Sequence, residues 1–253
     1  MAPTIILIRH AQALHNVARD WSLPDPPLTE LGRQQCAELQ ESLKASSIAN
    51  EVELIITSAM RRTLETTTLG LDWLIKEKNV QVLPDAGWQE NSDKPCDTGS
   101  AITVMELEFP QYDFSAMDPL YPDKTTSALD ANPYVFTKKA VLARGQACLK
   151  KLYSRPEKVI VAVSHSGFLR TAVANRRFAN ADWRVFDFDE EKMAESKSQG
   201  EGLDGQGLFI LKEWDETMAK GGGLGRSEKG VFYHRPTDFP AEVEEEVTEE
   251  IPA

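Results

Sequence analysis

Two histidines in this chain stand where apolar runs end. "IILIRH" closes on His10 with Arg9 beside it, and "VIVAVSH" closes on His165. The 253 residues hold only four histidines, so the same setting used twice carries chemical content. A third segment, "TSAMRRT", delivers Arg61 and Arg62 just past another apolar run. Guanidinium groups present a planar fork of donors matched to phosphate oxygens and stay charged at any working pH. Two imidazoles and two or more arginines around one pocket make a site for a dianionic tetrahedral group. A helix expected after His165 adds backbone N–H donors at its start, and the Ser166–Gly167 pair lets a phosphate approach them.

Residues this far apart meet only if the segments behind them share a sheet. "TIILI" (Thr4–Ile8) and "KVIVAVSH" (Lys158–His165) are continuous apolar runs, as expected of central strands covered on both faces. "VELIITS" (Val52–Ser58) and the shorter "VQVLP" read as further strands, and "WRVFDFD" with "GLFILKEW" as a terminal pair. Helices are expected between them. One opens at Thr29 as N-cap with Glu30 in its first turn, and Leu31, Cys36, Leu39 and Leu43 recur at helical spacing. Others are expected over Met60–Ile75, Tyr134–Leu152 and Gly167–Ala174. Strands and helices in alternation predict an α/β fold, a three-layer α/β/α sandwich with a mostly parallel central sheet. The carboxyl ends of parallel strands converge on one edge, where ligands bind, so His10 and His165 are expected to face one crevice.

One domain is expected over residues 1–219, with an irregular insert at about 88–133 whose only helical candidate is Ile102–Phe109. The glycine-rich "KGGGLG" (Lys220–Gly225) opens what reads as a flexible acidic tail, 220–253. Hydrophobic content of 41% and charged content of 27% are those of an ordinary soluble protein. The net charge of −12 argues against a nucleic-acid surface, and no apolar run has the length of a membrane span. Cys36, Cys96 and Cys148 are odd in number and widely spaced, which suits a reducing compartment, the cytoplasm and also the nucleus. They make no zinc pattern, and neither a metal nor a cofactor is called for.

"LIRHAQALHN" with "PLTELGRQQ", "TSAMRRTLETT" and "VSHSGFLR" resembles the histidine phosphatase superfamily, the phosphoglycerate mutase-like proteins, in order and spacing from Thr4 to about Trp214. The resemblance implies that His10 is the nucleophile, accepting the phosphoryl group as a phosphohistidine. It implies that Arg9, Arg62 and His165 clamp the equatorial oxygens. Arg62, not Arg61, falls at the family's S-x-x-x-R position counted from Ser58. Asn16 matches the asparagine that closes the RHG-x-x-x-x-N pattern, a ligand for phosphate or substrate oxygens. The family takes its general acid from the region after the third strand, where "GWQENSDKPCDTGS" offers Glu90, Asp93 and Asp97. Glu90 stands closest behind the strand and is chosen, with Asp97 the runner-up.

Departures from the pattern are few. Ala11 replaces the usual glycine, Ala13 a usual hydroxyl, and His15 a usual tryptophan, the last expected to serve as pocket wall or surface. His234 is expected to be incidental, and Cys96 a plain buried thiol. Glycolytic mutases of the family carry a Glu-Arg-His-Tyr-Gly stretch after the third strand, which is lacking here. The resemblance therefore implies a phosphomonoester phosphatase acting on a small phosphorylated metabolite, with a mutase as the alternative. A non-catalytic phosphate-binding scaffold is the third reading, against which every expected histidine and arginine stands. The insert, poor in Lys and Arg, is expected to grip the non-phosphate part of the substrate by polar and aromatic contacts. A homodimer is left open.

Overall fold

The computed structural model describes residues 2–125, 132–202 and 205–241. The first strand, β1 (Thr4–Arg9), alternates its side chains between two cores, Ile6 and Ile8 on one side and Ile5 and Leu7 on the other. All four are fully buried, which explains an apolar run without alternation. Each such side chain contributes roughly 1.5–3 kcal/mol by leaving water.

Strands β2 (Val52–Thr57), β3 (Gln81–Pro84) and β4 (Val159–Ser164) join β1 in parallel. Strand β5 (Trp183–Phe188) runs antiparallel along β1, and the short β6 (Leu211–Glu213) antiparallel along β5. The sheet order is β3-β2-β4-β1-β5-β6, mostly parallel as expected.

Helices cover both faces. On one lie α1 (Leu14–Ala18), α2 (Glu30–Lys44), α3 (Arg61–Gly70), α4 (Asp72–Lys76) and α5 (Ile102–Glu108). Thr29 caps α2 by accepting the Gly32 amide at 2.9 Å, and Cys36, Leu39 and Leu43 form its buried stripe. Leu31, expected on that stripe, is half exposed. The helix expected over Met60–Ile75 breaks at Leu71 into α3 and α4. On the other face lie α6 (Lys138–Tyr153) and the three-residue α7 (Ser166–Phe168), which a π-turn over Leu169–Val173 extends. Helix α6 starts later than Tyr134 because Thr137 is its cap, accepting the Ala140 amide at 3.2 Å. Two helices not expected, α8 (Glu190–Ser198) and α9 (Asp215–Lys220), flank β6.

Described residues of the irregular insert are packed into the core. Met105, Phe109, Tyr112, Phe114, Met117 and Tyr121 bury themselves in the first core. The expected flexible tail also needs correction as far as residue 241. Gly221 and Gly222 adopt φ of 82° and 87°, and the turn they make wraps the buried carboxylate of Asp182. Asp182 accepts from the amides of Leu224 (2.8 Å) and Arg226 (3.3 Å) and from the Ser227 hydroxyl (2.6 Å). A Cβ at Gly223 would run into the Trp183 ring. Beyond it Phe232 and Phe239 are buried. The acidic run Glu242–Ala253 lies outside the described residues.

Asp182→Ala removes the acceptor for these donors, and leaving buried N–H groups unsatisfied costs about 1–3 kcal/mol apiece. The variant is expected to lose at least about 2 kcal/mol in urea unfolding. Limited proteolysis should then cut between residues 220 and 240 before the rest of the domain.

Candidate active site

Register alone brings the two histidines together. Arg9 pairs with Ser164 across β1 and β4, so the next residues, His10 and His165, leave the sheet side by side with ring centroids 5.2 Å apart. The His10 amide donates to the Ser164 carbonyl at 2.9 Å, holding that exit. Ser58, just past β2, places its hydroxyl 2.9 Å from Nε2 of His165.

The orientation of His10 follows from its neighbours. Nδ1 lies 2.7 Å from the Ala11 carbonyl, which can only accept, so Nδ1 carries the proton. Nε2 is then the lone-pair nitrogen, and Arg62 donates to it from Nε at 3.2 Å. Burial, then the charges of Arg62 and Arg9, holds the His10 pKa well below its usual value. His165 is lowered well below by burial, then Arg62 and His10. Both rings are neutral bases at physiological pH.

Arg62 lies fully buried in the first turn of α3, and also donates to the Cys96 carbonyl (2.7 Å) and to Asp97 (3.2 Å). Arg61 is not brought to the site. Neighbours on a helix point about 100° apart, and Arg61 turns to Glu108 (2.8 Å) and the Asp25 carbonyl (2.7 Å). Arg9 donates to the Phe178 carbonyl at 2.9 Å, and its Nε has no partner among the described residues. Burial lowers its pKa to about 10; Glu90 opposes the shift, and Arg62 and Arg170 add to it. It remains a cation.

The amides at the start of α7, expected to meet a phosphate, are taken up by a side chain of the protein itself. Glu90 accepts from the amides of Gly167 (2.9 Å), Phe168 (2.8 Å) and Asn91 (3.0 Å). A Cβ at Gly167 would collide with its Oε1, so glycine there admits Glu90 rather than phosphate. Ser166 begins the helix between His165 and these amides. Of the other carboxylates, Asp97 is held by Arg62 and by the Ser92 hydroxyl (2.7 Å), and Asp93 is exposed. Asn16 accepts the Ala13 amide at 3.0 Å through Oδ1, which turns its Nδ2 to Nε2 of His15 at 2.9 Å. His234 donates to the Thr171 carbonyl (2.8 Å) in the C-terminal segment. Burial pushes the Cys96 thiol up to about 12.

Sequence reasoning missed three buried ionisable side chains, two of which, Arg144 and Lys124, fix the loop carrying Glu90 and Asp97. Arg144 donates to the carbonyls of Gly87 (2.8 Å) and Gln89 (2.7 Å) and to Asn91 (3.0 Å), with its guanidinium over the Phe168 ring. Lys124 donates to the carbonyls of Glu90 (2.6 Å), Ser92 (2.8 Å) and Asp97 (2.5 Å). Burial, then Arg144, lowers its pKa to about 7. Asp25 accepts from the Arg61 amide (3.1 Å) and the Ser100 hydroxyl (2.9 Å), tying the start of α3 to the insert. Arg144 had a signal, a charge inside the stripe Val141, Gly145, Cys148 and Leu152 of α6. Lys124, in an irregular loop, had none.

A strand-end histidine whose unprotonated Nε2 accepts from Arg62, with Arg9 and a second imidazole beside it, is an arrangement suited to a phosphoryl group. Residues 5–194 match the histidine phosphatase superfamily (branch 1), and the chain belongs to that family. It is 33% identical over 171 residues to a probable phosphatase of Schizosaccharomyces pombe, covering 66% of this chain and 76% of that one. It is 32% identical over 203 residues to a phosphoglycerate mutase-like protein of Arabidopsis thaliana, covering 66% and 72% respectively. Among solved structures, a mycobacterial hydrolase 18% identical covers 84% of this chain and 97% of its own, with a TM-score of 0.49. The protein is thus an enzyme of phosphoester chemistry.

The buried histidines set an acid limit on stability. Burial, then Arg62 and Arg9, lowers His15 to about 4 from an ordinary 6.5. Between those values the unfolded chain binds more protons than the native one, so stability rises with pH and is lost as pH falls. His10 and His165 act in the same sense. Melting temperature is expected to fall by about 5 °C or more from pH 7 to pH 5, and His15→Gln should flatten that slope. A melting temperature independent of pH over this range would contradict the neutral-histidine site.

Proposed function

We propose that the enzyme is a phosphomonoester phosphatase that works through a phosphohistidine at Nε2 of His10 on a small phosphorylated metabolite. The observation that carries this reading is the tautomer: Nδ1–H rests on the Ala11 carbonyl, and the lone pair of Nε2 is presented beside Arg62. A neutral imidazole attacks phosphorus without a separate base. The N–P bond forms as the ester P–O bond breaks, and the departing alcohol oxygen takes a proton from Glu90. Glu90 then takes a proton from water, whose oxygen attacks the phosphohistidine, breaking the N–P bond and releasing inorganic phosphate. Arg9, Arg62 and His165 hold the phosphoryl oxygens, where charge must be stabilised through an in-line transfer.

Glu90 is preferred to Asp97 because Arg62 already binds Asp97, while Glu90 is anchored only by amides and lies within electrostatic reach of Arg9 and His15. The S. pombe relative, named a probable phosphatase, supports hydrolysis over mutase chemistry.

The test is phosphate release from a panel of phosphomonoesters in EDTA, with conversion of 3- to 2-phosphoglycerate followed in parallel. His10→Ala is expected to abolish release, and Glu90→Gln to lower kcat by about 10²–10⁴-fold. Interconversion without release would make the enzyme a mutase, and silence in both assays would favour a binding protein. Gly167→Ala should displace Glu90 and lower kcat by about 10²-fold with substrate affinity less affected. Full activity in that variant would remove Glu90 from the mechanism.

A further inference from the structure

Four rings lead outward from the buried centre of the site. His165 faces His10 at 5.2 Å, His10 faces His15 at 6.1 Å, and His15 faces Trp21 at 5.9 Å. The first three are buried, whereas Trp21 is 46% exposed, so the series ends on an indole open to solvent. Lys94 lies over that indole, its Nζ 5.5 Å from the ring centroid. The Trp21 carbonyl accepts the Cys96 amide at 3.2 Å, fastening this turn to the loop that carries Glu90 and Lys94.

His15 adds a polar feature. Because the Ala13 amide fixes the Asn16 side chain, Nδ2 of Asn16 donates to Nε2 of His15, and the ring proton sits on Nδ1. That Nδ1–H is buried and has no acceptor among the described residues. Arg62, Arg9 and Glu90 all act electrostatically on the ring, which places it on the same pocket.

We propose that His15, Trp21 and Lys94 form a leaving-group subsite that selects phosphomonoesters whose alcohol carries a ring. The leaving oxygen is the one Glu90 protonates, so the departing group lies against the Glu90 loop, and Trp21 is the exposed aromatic surface bonded to that loop. An indole stacks on a planar or ring-shaped group, His15 donates to an oxygen near the ester, and Lys94 favours an anionic substituent at the outer end. This deepens the phosphatase reading and rests on it, yet binding tests it without catalysis.

The experiment is calorimetric titration with two non-hydrolysable probes, benzylphosphonate and methylphosphonate. Benzylphosphonate is expected to bind the wild type about tenfold more tightly, the worth of one aromatic contact. Trp21→Ala should erase that preference, Trp21→Phe should keep most of it, and Leu107→Ala, at an exposed position far along α5, should leave it unchanged. Lys94→Met should lower the affinity for 4-(phosphonomethyl)benzoate more than that for benzylphosphonate. Equal affinity of the two probes for the wild type, or a preference that survives Trp21→Ala, overturns the proposal. A preserved preference without phosphate release from any ester would instead sink the phosphatase reading and leave the subsite standing.

Discussion

Arg62 is fully buried beside three neutral imidazoles, and keeping its guanidinium charged there is the constraint on which the architecture depends. A buried cation is tolerated only where acceptors surround it. Arg62 finds an imidazole nitrogen at the end of β1, and a backbone carbonyl and a carboxylate from the adjacent Cys96 and Asp97. The same field lowers the basicity of His10, so the charge that suits the pocket to an anion also keeps this ring unprotonated.

Holding those acceptors still requires a second set of charges further back. Arg144 and Lys124 between them occupy six backbone and side-chain oxygens of the loop from Gly87 to Asp97. A loop whose regular structure is limited to a single 3₁₀ turn at each end is thereby anchored along its length. Glu90 completes the connection by binding the first amides of α7, which starts where β4 ends. The Glu90 loop, the second histidine and the sheet edge thus form one hydrogen-bonded unit. Asp25 extends it to the insert by holding the amide of Arg61 and the hydroxyl of Ser100 together.

Several of these roles were legible locally and several were not. The strand-end histidines could be found because a fully buried strand leaves an unbroken apolar run, and the residue after it is forced to the sheet edge. Arg61 and Arg62 look alike in sequence; helical geometry separates them, sending one to Glu108 and the other to His10. "KGGGLG" reads as flexible because glycine is permissive, but Asp182, some forty residues earlier, converts that freedom into a tight carboxylate cradle. The helix start beyond His165 reads as a phosphate cradle, but its amides face Glu90, brought there from a distant loop.

What the sequence determined by itself was the alternation of elements, the buried strands and the placing of His10 and His165 at strand ends. Those follow from side-chain hydrophobicity, capping and spacing, which act over a few residues. Only the tertiary structure decided which arginine faces His10, which amides receive Glu90, and which ring nitrogen of His10 carries the proton. Those depend on register between β1 and β4 and on acceptors from segments up to about a hundred residues away. Pairing of buried polar groups is set by position in space, and adjacency along the chain does not encode it.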